Sequence, residues 1–510
     1  MKYFLLFLSV PLFLFSQNQT MGLFKYDAET MPGYTLFSPN QNTYLIDNCG
    51  KLVHSWISNY NAGSSLYLLE DGSLLRTCRM QSTVFSGGGI GGRVEKYDWD
   101  NNLIWSYNFN NNTYHHHHDI EPLPNGNILV LCWEYKTLNQ AINSGRNPNS
   151  LPDNELWSTY IIEAKPIGTD SIEIVWEWHL WDHLIQEFDS TKLNYGDVSL
   201  NPQLLNINFF KGNGKKDWLH CNSIAYNNEL DQIIISSRAL SEVYIIDHST
   251  TTSEAASNTG GNSGKGGDFL FRWGNPLAYD QGTSFDQKLF GQHDAYWIDS
   301  GYPDEGAIMI FNNGQGRSYS SVDVINPQID QNGLYLLSNN VFLPDTLSWT
   351  YTSDNPLDFY SSYISGSRRL KNGNTLICDG AHGTFFEVDY FGNVLWRYVN
   401  PVVNTGPLSQ GDIIPLTQNG WGNPVFRCTK YDLDYPAFQG KDLAPSNVLE
   451  LNPLPSGCYM PVNIDFDKLK NERQLLYIID IFGREVKEKY NIPLFYIYDD
   501  GYIEKKIIIN

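Results

Sequence analysis

The stretch "FFEVDYFGNVLWRY", residues 385–398, decides the fold of this chain. It reads as an apolar strand, a turn around a glycine and a second strand that carries Trp396. The same arrangement recurs along the chain, which is the mark of a repeat architecture. Six copies are found, and their tryptophans are Trp56, Trp105, Trp176, Trp273, Trp349 and Trp396.

A second recurrent unit lies between the tryptophan strands. It is an apolar hairpin with a glycine turn, as in "LYLLEDGSLLR" (66–76), "EPLPNGNILVL" (121–131) and "RRLKNGNTLIC" (368–378). Helical periodicity is scarce, so the class is all-β. Repeats with about four short strands each predict a six-bladed β-propeller. A seven-bladed propeller with one degenerate blade is the alternative.

The rest of the chain sets the domain boundaries. The first residues, "MKYFLLFLSVPLFLFSQ", are typical of a signal peptide cleaved near Ser16. We expect a signal peptide at 1–16, a propeller at 17–435, a linker at 436–453 and a small β-sandwich-like domain at 454–510. No later segment approaches the roughly 20 apolar residues that a membrane span needs. The protein is therefore expected to be exported to the periplasm, the outer cell surface or the medium.

Charge and cysteine content narrow the function. A formal net charge of −22 disfavours nucleic acid as a partner, because phosphate backbones are repelled. The seven cysteines include no C-x-x-C pair. One or two disulfides are expected, and the sequence does not say which cysteines pair. Because the number of cysteines is odd, at least one of them is left as a free thiol.

Histidines occur at equivalent places in successive repeats. His115–His118, His220 and His293 each lie just upstream of the hairpin unit in the second, third and fourth copies. Equivalent positions in successive blades form a ring about the propeller axis, so these imidazoles are expected at one mouth of the channel. In the run of four, alternation along an extended backbone predicts that only one or two point inward. His118 is the candidate for contact with substrate.

Two further candidates leave strands in glycine-rich loops of consecutive repeats. These are Arg317 in "NNGQGR" and His382 in "CDGAHG". They are expected to be near neighbours, but spacing does not say whether they share the mouth of the histidines. A guanidinium and several imidazoles suit an oxyanion, which favours sulfate or phosphate chemistry. The competing interpretation is an iron site held by four histidines, His118, His220, His293 and His382.

At this point the chain resembles the bacterial aryl-sulfate sulfotransferases that use no nucleotide sulfate donor. The likeness rests on the order and spacing of "HHDIEPLPNGNILVL", "DWLHCNSIAYNNELDQIIISSR", "GQHDAYW", "IFNNGQGR" and "SGSRRLKNGNTLICDGAHGTFFEVDYFGNVLWRYVNP", with "TYLIDNCGKLVHSW" at the start. It covers roughly residues 30–435. The resemblance implies a six-bladed propeller with its active site in the central channel.

The resemblance also implies roles for particular residues. The family's signature of two histidines, an arginine and a nucleophilic histidine maps onto His220, His293, Arg317 and His382. It implies a ping-pong reaction in which His382 takes the sulfuryl group of an aryl sulfate and passes it to a phenol. No cofactor or metal is implied, and the partners are the aryl sulfate donor and the phenolic acceptor.

The last residues have a different character. "LLYIIDIFGREVKEKYNIPLFYIYDDGYIEKKIIIN" (475–510) resembles the C-terminal sorting domain of the type IX secretion system, with its D-x-x-G-R-E turn. The likeness implies that secretion machinery is a further partner. A small terminal β module that packs on the propeller is the alternative.

Three other functions stay open from the sequence. A histidine-ringed metalloenzyme and a hydrolase of sulfate or phosphate esters would use the same residues. A non-catalytic propeller that binds glycans or proteins would not need Arg317 and His382 to meet at the channel.

Overall fold

In the computed structural model the described residues are 18–210, 215–418, 420–458, 475–480, 483–484, 486–487, 489, 493–498 and 503–507. The predicted signal peptide lies outside them. The chain divides into two compact units, Met1–Cys458 and Tyr459–Asn510. Among the described residues no helix is both long and apolar enough to cross a lipid bilayer.

Six antiparallel sheets of the first unit form the blades of a propeller, which confirms the all-β prediction and the count of six. Named from the inner strand outward, blades 1 to 3 follow the order of the chain except for one strand. Blade 1 is Thr429–Asp432, Gly33–Phe37, Asn42–Asp47 and Leu52–Ile57; blade 2 is Ala62–Leu68, Leu74–Arg79, Gly92–Tyr97 and Leu103–Asn108; blade 3 is Tyr114–Pro122, Ile128–Thr137, Glu155–Ile167 and Ser171–His179.

Blades 4 to 6 complete the ring. Blade 4 is Cys221–Asn227, Gln232–Ser237, Glu242–Asp247 and Phe271–Trp273; blade 5 is His293–Trp297, Ile308–Asn312, Ser321–Ile325 and Trp349–Tyr351; blade 6 is Gly366–Arg369, Thr375–Asp379, Thr384–Val388 and Val394–Val399, with Gly22–Tyr26 added at its outer edge. The N-terminal strand thus extends blade 6, while Thr429–Asp432 supplies the inner strand of blade 1.

Shorter elements lie in the connections. The helices are Leu138–Asn143 and Thr252–Ala255, with single 3-10 turns at Pro148–Ser150, Pro152–Asn154, Leu180–Asp182, Val198–Leu200, Pro276–Tyr279, Pro356–Asp358, Gly380–His382 and Pro436–Phe438. Two-residue strand pairs are Leu184–Ile185 with Leu205–Asn206, Leu337–Ser338 with Val341–Phe342, Val402–Val403 with Gly406–Pro407, and Leu416–Thr417 with Gly420–Trp421.

The opening stretch shows why its residues form a strand pair. Asp389 accepts hydrogen bonds at its Oδ1 from the backbone of Phe391 and Asn393, which closes the turn. Gly392 has φ +91°, a conformation that costs glycine little. Beyond the turn the side chain of Trp396 is fully buried.

The recurrent tryptophans stand on the outer strands and join each blade to the next. Each indole Nε1 donates a hydrogen bond to the following blade, so six bonds run around the ring. The acceptors of Trp56, Trp105, Trp176, Trp273, Trp349 and Trp396 are Asp98 O, Ser171 O, Thr250 Oγ1, Pro344 O, Tyr390 O and Asn48 O. We call this ring the tryptophan seam.

A disulfide joins Cys49, in blade 1, to Cys458, at the end of the first unit. The five remaining cysteines are buried thiols. The predicted linker 436–453 lies inside the first unit and hydrogen-bonds to the rest of it, for example where Leu52 N donates to Asn447 O and Gln410 N donates to Leu451 O.

The second unit contains an antiparallel sheet of three strands, Leu475–Asp480, Pro493–Tyr498 and Ile503–Ile507. Within it Arg484 pairs with Asp480 at 2.8 Å.

Candidate active site

Strand direction places all five candidate residues at one mouth of the channel. In blade 5 His293 pairs with Phe311, just before the loop of Arg317. In blade 6 Gly366 pairs with Cys378, just before the loop of His382. The start of an inner strand therefore lies beside the end of the second strand in each blade. We call this end of the channel the histidine mouth.

His118 and His220 meet directly at this mouth. Their ring centroids are 4.7 Å apart in an edge-to-face arrangement. Both residues have positive φ, +56° for His118 and +46° for His220, which is uncommon for residues with a side chain. Backbone held in such a conformation is characteristic of functional sites.

The run of four histidines does not follow simple alternation. All four rings are buried, and a bulge in the inner strand of blade 3 interrupts the pairing between His116 and Ile120. A bulge re-aims the side chains that follow it. As a result His117 and His118 are hydrogen-bonded through their Nδ1 atoms at 2.8 Å, and His118 alone of the four contacts His220.

A glycine-rich loop of blade 2, residues 86–92, covers the buried imidazoles. A Cβ atom on Gly89 would lie 2.1 Å from Nε2 of His118, and one on Gly91 would lie 2.2 Å from Nδ1 of His116. Glycines are needed here because the rings occupy the space of any side chain. The sequence motif "SGGGIGG" thus leaves room for the histidine rings at the histidine mouth.

His220 and His382 share a spacing and a type of partner. His220 Nδ1 lies 2.5 Å from Asp217 Oδ2, and His382 Nδ1 lies 2.8 Å from both carboxylate oxygens of Asp379. In each case the carboxylate fixes the proton on Nδ1 and leaves Nε2 with a lone pair. The two pairs are visible in the sequence as D-x-x-H, in "DWLH" and "DGAH".

His382 is the most accessible of the candidate imidazoles. Its side chain is 38% exposed, and the hydrogen bond that the ring donates to Asp379 raises the pKa of the ring above its ordinary value. The ring of Trp421 lies 5.8 Å away, edge to face. His382 therefore combines access with a fixed orientation.

His293 is hydrogen-bonded to a neutral partner instead of a carboxylate. Its Nδ1 lies 2.7 Å from Asn313 Oδ1, while Asn313 Nδ2 donates to the carbonyls of Ser361 and Ile364. The amide nitrogen is thus occupied as a donor, so His293 Nδ1 carries the proton and Nε2 is an acceptor. Burial and the charge of Arg238 hold the pKa of His293 well below its ordinary value.

Asn313 also links His293 to the loop of His382. Ser361, whose carbonyl accepts from Asn313, accepts at its Oγ from the backbone N of Ala381 at 3.2 Å. Ser365 Oγ accepts from the backbone N of Gly380 at 3.0 Å. The backbone that carries His382 is therefore tied to the residues that orient His293.

Arg317 lies in the expected loop, but its guanidinium is turned onto that loop. Nε donates to Tyr319 O at 3.1 Å and Nη2 donates to Ser321 Oγ at 2.6 Å. The guanidinium also packs over the rings of Tyr319 and Phe290. The structure brings the loops of Arg317 and His382 to one mouth without joining the two side chains.

Arg238 is the residue that sequence reasoning missed. It follows the second strand of blade 4, the place that the loops of Arg317 and His382 occupy in blades 5 and 6. Its charge contributes to the lowered pKa of both His118 and His293, because it lies near both rings. The final arginine of "IIISSR" would have been found by comparing the ends of second strands between repeats.

Two cavities open at the histidine mouth, with volumes of about 430 and 390 Å³. Lys215, Asp217, Arg238 and Ala239 line both of them, and His220 faces the larger. Basic side chains at this mouth contrast with the net charge of −22 of the whole protein. In the lining of each cavity the basic side chains outnumber the acidic ones by one, an excess that favours a small anion.

An ion-paired arginine crosses the axis of the channel. Arg427 precedes the inner strand of blade 1, and its guanidinium pairs with Asp119 of blade 3 at 2.9 Å and with Asp294 of blade 5 at 3.0 Å. A group that reaches three alternate blades of six lies at the centre of the ring.

The four-histidine metal site is not assembled. Within the part of the chain that the structure describes, no three or more His, Cys, Asp or Glu side chains are grouped as metal ligands.

Comparison with solved structures finds distant likenesses. A protein of unknown function from Bacteroides caccae is 10% identical, covering 78% of this chain and 98% of that one, with a TM-score of 0.41. The periplasmic gluconolactonase PpgL of Pseudomonas aeruginosa is 11% identical, covering 72% of this chain and 96% of that one, with a TM-score of 0.37. These likenesses are too distant to bear on substrate.

Family comparison is more decisive. No curated protein matches the chain. The family model described as "Arylsulfotransferase (ASST)" matches residues 25–405, a span that contains the six tryptophan strands, the histidine mouth and Arg238. Because this match covers most of its length, the chain belongs to the arylsulfotransferase family.

Proposed function

We propose that the protein transfers a sulfuryl group from an aryl sulfate ester to a phenol, through a sulfohistidine at His382. In the first half-reaction Nε2 of His382 forms a bond to sulfur, and the bond between sulfur and the aryl oxygen breaks. The phenolate leaves and takes up a proton. In the second, the oxygen of an acceptor phenol bonds to sulfur, the N–S bond breaks and the phenol proton is released.

The observation that carries the proposal is the pairing of His382 with Asp379. Both carboxylate oxygens lie 2.8 Å from Nδ1, so the ring is held with Nε2 free to attack. The same carboxylate stabilises the positive charge that the ring acquires when Nε2 is sulfonated. Exposure of the side chain gives an ester access to Nε2.

The neighbouring residues have separate roles in this proposal. Arg238, with Arg317 in the adjacent loop, supplies positive charge for the sulfuryl oxygens as charge develops on them. His220, held by Asp217 and facing a cavity, supplies and recovers the proton of the phenol. His293 accepts a hydrogen bond from the acceptor hydroxyl at Nε2, and His118 packs behind His220.

The test is mass spectrometry of chelator-treated protein mixed briefly with p-nitrophenyl sulfate in the absence of a phenol. We expect the mass of one sulfuryl group on His382, a burst of one nitrophenol per protein, and loss of the adduct when phenol is added. His382→Asn should form no adduct. His54→Gln is the matched control, because His54 lies on the outer strand of blade 1 and bonds to Trp99 O.

Other outcomes separate the alternatives. Continuous release of nitrophenol without a phenol acceptor would indicate a hydrolase. Activity that disappears on chelation and returns with a metal would indicate the metalloenzyme. Neither adduct nor nitrophenol would leave a ligand-binding propeller and overturn the proposal.

We also propose that the second unit is the sorting domain of a type IX secretion substrate and that the protein is exported. The support is the likeness in 475–510, in which Asp480 and Arg484 of the D-x-x-G-R-E turn are paired. A chain ending at Cys458 should stay in the periplasm of a cell that exports the full chain. Equal export of both chains would contradict this.

A further inference from the structure

A small hairpin beside His382 lies beyond the region that the family model matches. Leu416–Thr417 pairs with Gly420–Trp421, and both strands follow residue 405, where the match ends. Leu416 and Trp421 are direct cross-strand partners, so their side chains share one face of the hairpin. We call this face the aryl platform.

The platform is fixed to the loop that carries the nucleophile. Two residues after Trp421, buried Asn423 donates from Nδ2 to Asn400 O at 2.8 Å and accepts at its carbonyl from Asn400 Nδ2 at 3.1 Å. Asn400 N in turn donates to Gly383 O at 2.8 Å. Since Gly383 follows His382, the indole and the imidazole are held in one rigid assembly.

The platform is apolar and open to solvent. Trp421 is 37% exposed and Leu416 is 73% exposed, while nearby Ile413 is 85% exposed. On the other side of the hairpin, a Cβ on Gly420 would lie 3.4 Å from the hydroxyl of Tyr363. Exposed apolar side chains beside a mouth lined by Lys215, Asp217 and Arg238 indicate a surface for an apolar part of a ligand.

We propose that the aryl platform binds the aromatic part of the substrate and selects for aryl groups with a second fused ring. The inference rests on the proposed function. When a sulfuryl group lies at Nε2 of His382, its ester oxygen separates sulfur from the ring by two bonds. The ring centroids of Trp421 and His382 are 5.8 Å apart. The aryl ring of the ester, and any ring fused to it, therefore lies against the indole and Leu416.

The test measures binding without turnover, in the full chain with His382→Asn. Calorimetry is run with 2-naphthyl sulfate and with methyl sulfate, which has the same anionic group and no ring. Adding Trp421→Ala should weaken the binding of 2-naphthyl sulfate about tenfold and leave the affinity for methyl sulfate unchanged. Trp421→Phe should keep the affinity for 2-naphthyl sulfate within about threefold, since it keeps an aromatic surface.

A matched control is Phe391→Ala, which removes an aromatic side chain that is 88% exposed in a turn of blade 6. It should change neither affinity. In the active chain Trp421→Ala should raise KM for 2-naphthyl sulfate about tenfold with little change in kcat.

The outcomes distinguish the inference from the proposed function. If His382 is sulfonated normally and Trp421→Ala changes both ligands equally or neither, the platform is overturned and the transferase stands. If the parent chain neither binds 2-naphthyl sulfate nor sulfonates His382, both are overturned.

Discussion

His382 and His293 are oriented through the same ring nitrogen by partners of different charge. Asp379 presents a carboxylate to His382 and raises the pKa of its ring. Asn313 presents an amide oxygen to His293, whose pKa burial and Arg238 depress. Environments that push the pKa values of two like groups apart assign them different roles. In the proposed mechanism the nucleophile is His382, which has a carboxylate partner where His293 has an amide.

The raised pKa of His382 predicts how its reaction depends on pH. Attack on sulfur needs the neutral ring, so sulfonation of His382 is slow below its pKa and rises as pH passes through a value above the ordinary 6.5. In Asp379→Asn the pKa falls, so the rise moves to lower pH. The plateau falls on the order of 100-fold, because the ring is no longer held for attack.

Stopped-flow measurement of the nitrophenol burst across pH checks this prediction. Asp354→Asn, which changes an exposed aspartate, should keep the parent profile. A burst in Asp379→Asn with an unchanged midpoint would show that the carboxylate does not set the protonation of His382.

Arg238 gives a second prediction at this scale. Charge-assisted hydrogen bonds contribute about 1.5–3 kcal/mol, so Arg238→Met should lower kcat/KM for an aryl sulfate roughly 10- to 100-fold. Arg238→Lys keeps the charge and should lose less. Exposed Arg397 of blade 6 supplies the control Arg397→Met, which should match the parent. Equal effects at both positions would remove Arg238 from the site.

At the scale of elements, bulges at the starts of inner strands turn a regular blade into a site. The pairing of inner and second strands shifts in blades 2, 3, 4 and 5, and in the last three the shift lies beside His118, His220 and His293. An extra residue in one strand bends it and re-aims its side chains. In these three blades the shift therefore changes the direction of the candidate side chains at the inner edge.

The loop of glycines above the imidazoles predicts a sharp contrast between neighbours. Gly89→Ala puts a Cβ 2.1 Å from His118 Nε2 at a φ of +75°, so strain and overpacking together should lower the free energy of unfolding by about 2 kcal/mol or more. Gly88→Ala is the matched control, because its Cβ meets only His220 Cε1 at 3.6 Å.

Urea denaturation of the two variants gives the measurement. Equal stability would mean that the loop moves away from His118 at little cost. A destabilised Gly89→Ala beside an unchanged Gly88→Ala would confirm that the loop is fitted to the ring.

The number of blades could be predicted from the sequence, but the arrangement of residues at the histidine mouth could be predicted only in part. The repeat of Trp396 and its five counterparts predicts six blades because every blade needs the same inter-blade contact. The hydrogen bond between His117 and His118 at the bulge could not be predicted. The sequence of one strand gives only the rule that its side chains alternate between the two faces. Arg238 was not predicted as a site residue because its loop lacks the glycines that flank Arg317 and His382 in the sequence.

For the whole molecule, the tryptophan seam predicts where the ring is held closed. Trp396 donates to Asn48 O at 2.7 Å and so joins blade 6 to blade 1. Trp396→Phe leaves that carbonyl without its donor and should lower the free energy of unfolding by about 1–3 kcal/mol. Trp421→Phe, which alters no seam bond, is the control. Thermal unfolding of both variants in parallel checks this, and equal midpoints would contradict it.

The disulfide between Cys49 and Cys458 has a mechanical consequence. Tension on the chain beyond Cys458 passes through the disulfide into the turn of blade 1 that contains Cys49. This path bypasses the chain that precedes Cys458, including Thr429–Asp432, the strand that closes blade 1. Tension on the C-terminal end is thus shared with a covalent bond and does not rest on the hydrogen bonds of the closing strand alone.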